Sequence, residues 1–243
     1  MTGTSGFSAG RRALGRLLPG PQPGKIFAIG ENKTGTTSLH KIFQGMGYRS
    51  YHGIKWRDTT RTMIFRLYDC FTDGPPDDFR KLDRVFPGSK FILQVRDLDA
   101  WIDSRLEHIN RLPSKKKRHP LWSAKESSIR VWVRRRNTYH LDVLSHFRDR
   151  PDDLLVTNYI REPDAAGKIA TFLGHPPPDE KPHANRNVNA AKTLTNPDLI
   201  AQALTGLGIP QDQWRNDIYC PALDPDAWEN GMRADTAQAA NGN

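Results

Sequence analysis

Apolar and polar positions succeed one another in a regular rhythm along most of the chain. Lys25-Ile26-Phe27-Ala28-Ile29-Gly30 is a short apolar run with the profile of a buried strand, and a polar, glycine-containing turn follows from Glu31 to Gly35. Leu39, Ile42, Phe43 and Met46 then recur at three- and four-residue steps until Gly47, which predicts a helix. Leu67 to Thr72 predicts a second strand, closed by Asp73-Gly74-Pro75-Pro76. Phe79, Leu82 and Val85 predict a short helix ending at Pro87-Gly88. Lys90 to Val95 is the clearest strand, and Leu98, Trp101, Ile102, Leu106 and Ile109 form a helical stripe after it. Ile129, Trp132, Tyr139, Val143 and Phe147 predict a long amphipathic helix over 123–148. Leu154 to Thr157 predicts one more strand, and Pro163 to Leu173 a helix closed by Gly174.

Strands that alternate with helices imply an α/β fold: a central parallel sheet with helices on both faces. Ligands of such sheets bind beyond the carboxyl ends of the strands. That rule directs attention to Glu31–Thr37, Asp73, Arg96–Asp99 and Asn158–Tyr159. Residues 1–24, rich in Gly, Ser and Pro, are expected to form a flexible extension, and 25–243 a single domain with a C-terminal helical region. Helix-like stretches recur at Pro197–Leu207 and around Trp214, and the last ten residues have the composition of a disordered tail.

Composition adds one local feature. Hydrophobic residues are 37% and charged residues 26%, a balance that supports a globular core. The net charge of +9 is confined to one segment: Arg111 to Arg136 holds ten basic residues against one acid, Glu126, and the remainder is neutral. Such a segment points to an anionic partner, or to a solvated helix face. Arg136 falls near the apolar stripe of its helix and is expected to point inward. Two cysteines, Cys70 and Cys220, rule out a disulfide scaffold and a four-cysteine zinc site. No run reaches the roughly 18 apolar residues of a membrane span, and the N-terminus lacks the apolar core of a signal peptide. A soluble cytoplasmic protein is expected.

The densest chemistry follows the first strand, in Gly30-Glu31-Asn32-Lys33-Thr34-Gly35-Thr36-Thr37-Ser38. Backbone N–H groups at a helix start, with a lysine and four short hydroxyls, make an anion cradle. The spacing of Gly30 and Gly35 fits a nucleoside triphosphatase loop, but Thr36 stands where that loop needs lysine.

Lys-Thr-Gly-Thr-Thr-Ser after a short apolar strand resembles the 5′-phosphosulfate loop of sulfotransferases, which use 3′-phosphoadenosine-5′-phosphosulfate (PAPS) as donor. A strand-end arginine with a serine eight positions on, here Arg96 and Ser104, resembles that family's 3′-phosphate site. Leu154 to Tyr159 followed by Phe172-Leu173-Gly174 resembles a third family element, which makes Tyr159 a candidate contact for the adenine. The resemblance spans about 25–174 and implies a P-loop nucleotide-binding type of sheet. It further implies transfer of the sulfuryl group to a hydroxyl or amine, adenosine-3′,5′-bisphosphate as product, and no metal. Donor contacts are implied at Lys33, Thr34, Gly35, Thr36, Thr37, Ser38, Arg96, Ser104 and Tyr159. Two features depart from the pattern: Ser38 stands where many members stack a tryptophan, and the family's C-terminal Arg-Lys-Gly is absent. Arg186, in Pro182-His183-Ala184-Asn185-Arg186-Asn187, is a candidate substitute.

Lys33 is expected at the leaving oxygen. Relatives carry a histidine base about 23 residues before the arginine, where this chain has Asp73. Asp73 is equally a good turn residue before Gly74-Pro75-Pro76, and His52 is the alternative base. The acceptor stays open among a small molecule, a sugar and a lipid headgroup, shaped by 48–66, 107–128 and 185–230. Two other functions remain: a nucleotide kinase or triphosphatase with a degenerate loop, and a binder of nucleic acid or anionic surfaces through 111–136.

Overall fold

The computed structural model describes residues 24–113, 123–177 and 193–215. The N-terminal extension short of Gly24, the run Lys115 to Arg118, Arg186, Cys220 and the C-terminal tail lie outside the described residues.

Five short strands form one sheet, β1 (Ile26–Ala28), β2 (Ser50–His52), β3 (Cys70–Thr72), β4 (Lys90–Gln94) and β5 (Leu154–Thr157). Their order is β2-β3-β1-β4-β5 and every pairing is parallel. Among the described residues seven helices accompany them: α1 (Thr36–Gly45), α2 (Thr62–Leu67), α3 (Phe79–Val85), α4 (Leu98–Asn110), α5 (Glu126–His146), α6 (Ala165–Phe172) and α7 (Pro197–Thr205). The expected parallel sheet with helices on both faces is present.

Side-chain alternation explains the layers. Ile26 and Ala28 of β1 join Leu39, Ile42 and Phe43 of α1 and Ala165, Ala166 and Ile169 of α6 on one face. Phe27 and Ile29 face the other way, into an aromatic layer with Phe65 of α2, Phe79 of α3, and Val143 and Phe147 by α5. Each such ring taken out of water contributes about 1.5–3 kcal/mol. A third cluster joins the predicted stripe of α4 to Ile129, Trp132 and Val133 of α5 and Ile200, Ala203 and Leu204 of α7. Trp132 is therefore core, and Arg136 points inward as expected, 1% exposed.

Two local expectations change. Leu67 ends α2 and does not open a strand; β3 begins at Cys70. The stretch between α1 and β3 also holds β2, a 3-10 turn at Ile54–Arg57 and α2. Trp56 anchors this excursion: it is fully buried, stacks on Phe27, and donates from Nε1 to the Thr72 carbonyl at 2.7 Å.

β1 lies between β3 and β4, so the chain leaves β1 toward one side of the sheet and later returns to the other. The crevice beyond such a reversal is where doubly wound sheets hold ligands. His52 ends β2, Asp73 follows β3, Lys33 follows β1 and Arg96 follows β4, so all four stand at one sheet edge.

Candidate active site

The loop between β1 and α1 is fastened by its own backbone. Gly30 N–H donates to Gln94 Oε1 at 2.9 Å, and a Cβ at Gly30 would collide with the Gln94 carbonyl. Tyr139 donates to the Ile29 carbonyl, Trp101 Nε1 to the Asn32 carbonyl and Arg96 Nη1 to the Lys33 carbonyl, each at 2.9 Å. Gly35 carries φ 98, and its Cα lies against the Tyr159 ring, where an added Cβ would sit 3.1 Å from Cδ1. Both facts call for glycine. The first intrahelical bond of α1 is Leu39 N–H to Gly35 O, and no side chain caps the helix, so its N-terminus is open to an anion.

The hydroxyls of the loop differ in their surroundings. Thr34 is buried, and its hydroxyl donates to the Glu31 carbonyl at 2.5 Å. Thr36 and Ser38 are buried in the first turn of α1. Thr37 Oγ1 lies 3.3 Å from His52 Nε2. Tyr159 is fully buried within the layer formed by α1 and α6. Its ring lies against Gly35 of the loop.

Lys33 and Asp73 are the two non-glycine residues with positive φ among the described residues, at 73° and 103°. Such backbone costs of order 1–3 kcal/mol and clusters at functional sites. Burial lowers the Lys33 pKa, and Arg111 and Arg96 nearby lower it further. Burial pushes the Asp73 carboxyl up, against the opposing pull of His52, Arg57, Lys33 and His108. A turn-forming aspartate bonds to backbone N–H two residues on. Among the described residues the Asp73 carboxylate makes no hydrogen bond and no ion pair, and neither does the Lys33 ammonium.

Arg96 is half-buried, and its Nε has no hydrogen-bond partner while Nη1 holds the loop. Burial lowers its pKa, with Asp97, Asp103, Glu107 and Asp99 opposing. Arg136 supports it from behind by donating to the Arg96 carbonyl at 2.9 Å. Ser104 is half-buried on α4, off the apolar stripe.

Sequence reasoning missed two arginines on the flank of this site. Arg57, in the 3-10 turn, donates from Nε to the Pro75 carbonyl at 3.0 Å and has no carboxylate within ion-pair distance among the described residues. Arg105 lies over the Trp132 ring at 4.8 Å and reaches only Glu31, at 4.0 Å; its Nε is buried without a partner. Burial lowers the Arg105 pKa, Glu31 opposes, and the charges of Arg135 and Arg57 add to the lowering. Arg105 was legible as the neighbour of Ser104; Arg57 lies in a stretch with no periodicity.

Two members of the basic segment 111–136 are paired: Arg111 with Glu107 at 3.4 Å and Arg130 with Glu126 at 3.5 Å. Among the described residues no group of three or more His, Cys, Asp or Glu side chains is placed to hold a metal. No helix among them is long and apolar enough to cross a membrane.

Residues 55–162 match the family model described as Sulfotransferase domain. The match includes Asp73, Arg96, Ser104 and Tyr159 and starts beyond Lys33 and His52, for which the geometry above stands alone. No curated protein matches the chain.

Proposed function

We propose that the chain carries out sulfuryl transfer, as the match of residues 55–162 to the sulfotransferase domain supports, with PAPS as donor and a hydroxyl compound bearing negative charge as acceptor. One observation carries this reading. Lys33 and Asp73, held in costly backbone conformations at the ends of β1 and β3, present opposite charges that make no hydrogen bond or ion pair among the described residues.

The residues divide into three tasks. The N–H groups at the start of α1 bind the 5′-phosphate end of the donor, helped by the Thr36 and Thr37 region. Arg96 and Ser104 take the 3′-phosphate, for which a planar guanidinium fork is well shaped. Lys33 stands at the bridging oxygen and neutralises the charge that collects there. Asp73 receives the acceptor proton.

Atoms balance as follows. The acceptor oxygen bonds to sulfur while the bond from sulfur to the bridging oxygen breaks in line. The acceptor proton passes to Asp73, and the electron pair leaves with adenosine-3′,5′-bisphosphate. Asp73 must be ionised to act. Burial opposes this, and the cations Lys33 and Arg57 favour it.

Arg57 and Arg105 support the charge of the acceptor. Arg105 lies within electrostatic reach of Arg57 and Arg135, with Glu31 opposing, and Arg57 also acts on Asp73. A carboxylate, sulfate or phosphate on the acceptor supplies the missing counter-charge.

The test is incubation with radiolabelled PAPS and matched hydroxyl compounds, neutral and anionic, without added metal. Label is expected in the anionic compounds, with release of adenosine-3′,5′-bisphosphate. Absence of transfer together with Mg²⁺-dependent turnover of ATP would replace this reading with a kinase or triphosphatase.

A further inference from the structure

Thr37, in the first turn of α1, is the end of a directed chain of hydrogen bonds. Its Oγ1 lies 3.3 Å from His52 Nε2. His52 Nδ1 lies 2.8 Å from Thr72 Oγ1, and the Thr72 hydroxyl is 3.4 Å from the Tyr51 carbonyl. The Thr72–Tyr51 contact orders the chain in one of its two directions. A carbonyl only accepts, so Thr72 donates to Tyr51 and accepts from His52 Nδ1–H. Neutral imidazole then offers a lone pair at Nε2, and Thr37 donates its one hydroxyl proton to it. In that state the proton is turned away from any anion held by the loop. Protonation of His52 reverses the last link: Nε2–H donates to Thr37 Oγ1, and the Thr37 proton is released toward the loop.

We propose that His52 is a positioning residue for the donor, whose charge state decides whether the Thr37 hydroxyl bonds to His52 or to the phosphosulfate end of the donor. The proposal rests on the loop over 30–38 being the donor site. The surroundings of His52 suit the role. From α1, His40 stacks on it with ring centroids 5.5 Å apart and bonds Ser50 Oγ at 2.8 Å. Burial, and then His52 itself, hold His40 below its usual pKa. From the turn after β3, Asp73 lies within electrostatic reach of His52. Lys33 of the loop and Arg57 of the 3-10 turn act on Asp73 in turn. A bound phosphate favours the charged ring, so donor binding should take up a proton.

The probe is adenosine-3′,5′-bisphosphate, titrated calorimetrically over the range in which imidazole changes charge, about pH 5 to 8, in buffers of different ionisation enthalpy. Wild-type affinity should fall roughly tenfold from the acid to the alkaline end, the worth of one hydrogen bond to a charged group. Thr37→Ser keeps the hydroxyl and should keep this slope. His52→Gln and Thr37→Val should lose it and lose the proton uptake. The phosphates of the probe titrate in the same range, but equally for every variant, so the difference from wild type is what is read. A wild-type slope in His52→Gln or Thr37→Val overturns the proposal. Failure of the probe to bind any of the proteins at any pH instead overturns the donor site on which the proposal rests. Nitrogen-15 spectra of the ligand-free protein give a check independent of the donor. At alkaline pH the proton of His52 should be on Nδ1, and a proton on Nε2 would overturn the proposal.

Discussion

Replacing Asp73 separates chemistry from turn formation. The residue carries two costs in the folded state. Its φ of 103° is a conformation costing a non-glycine residue about 1–3 kcal/mol, and its carboxylate is half-buried with no hydrogen bond. Asp73→Gly removes both and adds the entropic cost of glycine, about 0.5–1 kcal/mol. The net is a gain of about 1 kcal/mol, or about 2–4 °C in Tm for a chain of this length. Asp73→Asn tolerates the same backbone and removes only the charge. Burial raises the carboxyl pKa in the folded state, so wild-type stability falls as pH rises from the unfolded value, about 4, through the folded one. The penalty is complete above the folded value. Melting curves of wild type and Asp73→Asn should therefore converge in acid and separate at neutral pH, the variant higher. Activity moves the other way: loss of the proton acceptor should lower kcat about 10²–10⁴-fold, with affinity for adenosine-3′,5′-bisphosphate unchanged. The assays are calorimetric melting and transfer from radiolabelled PAPS. Variants that melt lower and transfer as well as wild type would refute the reasoning and return Asp73 to the turn.

Arg57→Gln should raise the KM for an anionic acceptor about tenfold through loss of a charge-assisted bond, measured by steady-state transfer, while donor affinity holds. Trp56→Ala should lose about 3–5 kcal/mol of stability, because the ring is fully buried and its Nε1 bond to the Thr72 carbonyl goes with it; chemical denaturation reads this directly. Gly35→Ala should weaken binding of adenosine-3′,5′-bisphosphate about tenfold, since the strained φ and the Tyr159 ring displace a loop whose N–H groups need fixed positions.

Much of the fold is legible in the apolar pattern because its elements bury one clear face. The α4 stripe from Leu98 to Ile109 is buried throughout, and the strand expected over Lys90–Val95 forms as Lys90–Gln94. The stretch after α1 was less legible. β2 and β3 are three residues each, too short to show a period, and Trp56 is held by stacking and one hydrogen bond rather than by a repeat. The site follows the same division. Lys33 and Arg96 announce themselves by standing directly after strands. Arg57 and Arg105 do not, because their importance comes from lacking a local carboxylate partner or reaching one only at the limit of contact, which is a property of packing. The donation of the Thr34 hydroxyl to the Glu31 carbonyl is likewise a property of packing.

The central claim is that the loop after β1 and Arg96 after β4 together hold a bisphosphorylated adenosine. Titration of adenosine-3′,5′-bisphosphate against ATP tests it most directly, with and without Mg²⁺, on wild type, Lys33→Ala and Arg96→Ala. The account predicts metal-independent binding of the bisphosphate in preference to ATP, with affinity and transfer greatly reduced in both variants while each still folds. Tighter binding of Mg²⁺–ATP, or wild-type affinity and turnover in either variant, would contradict it.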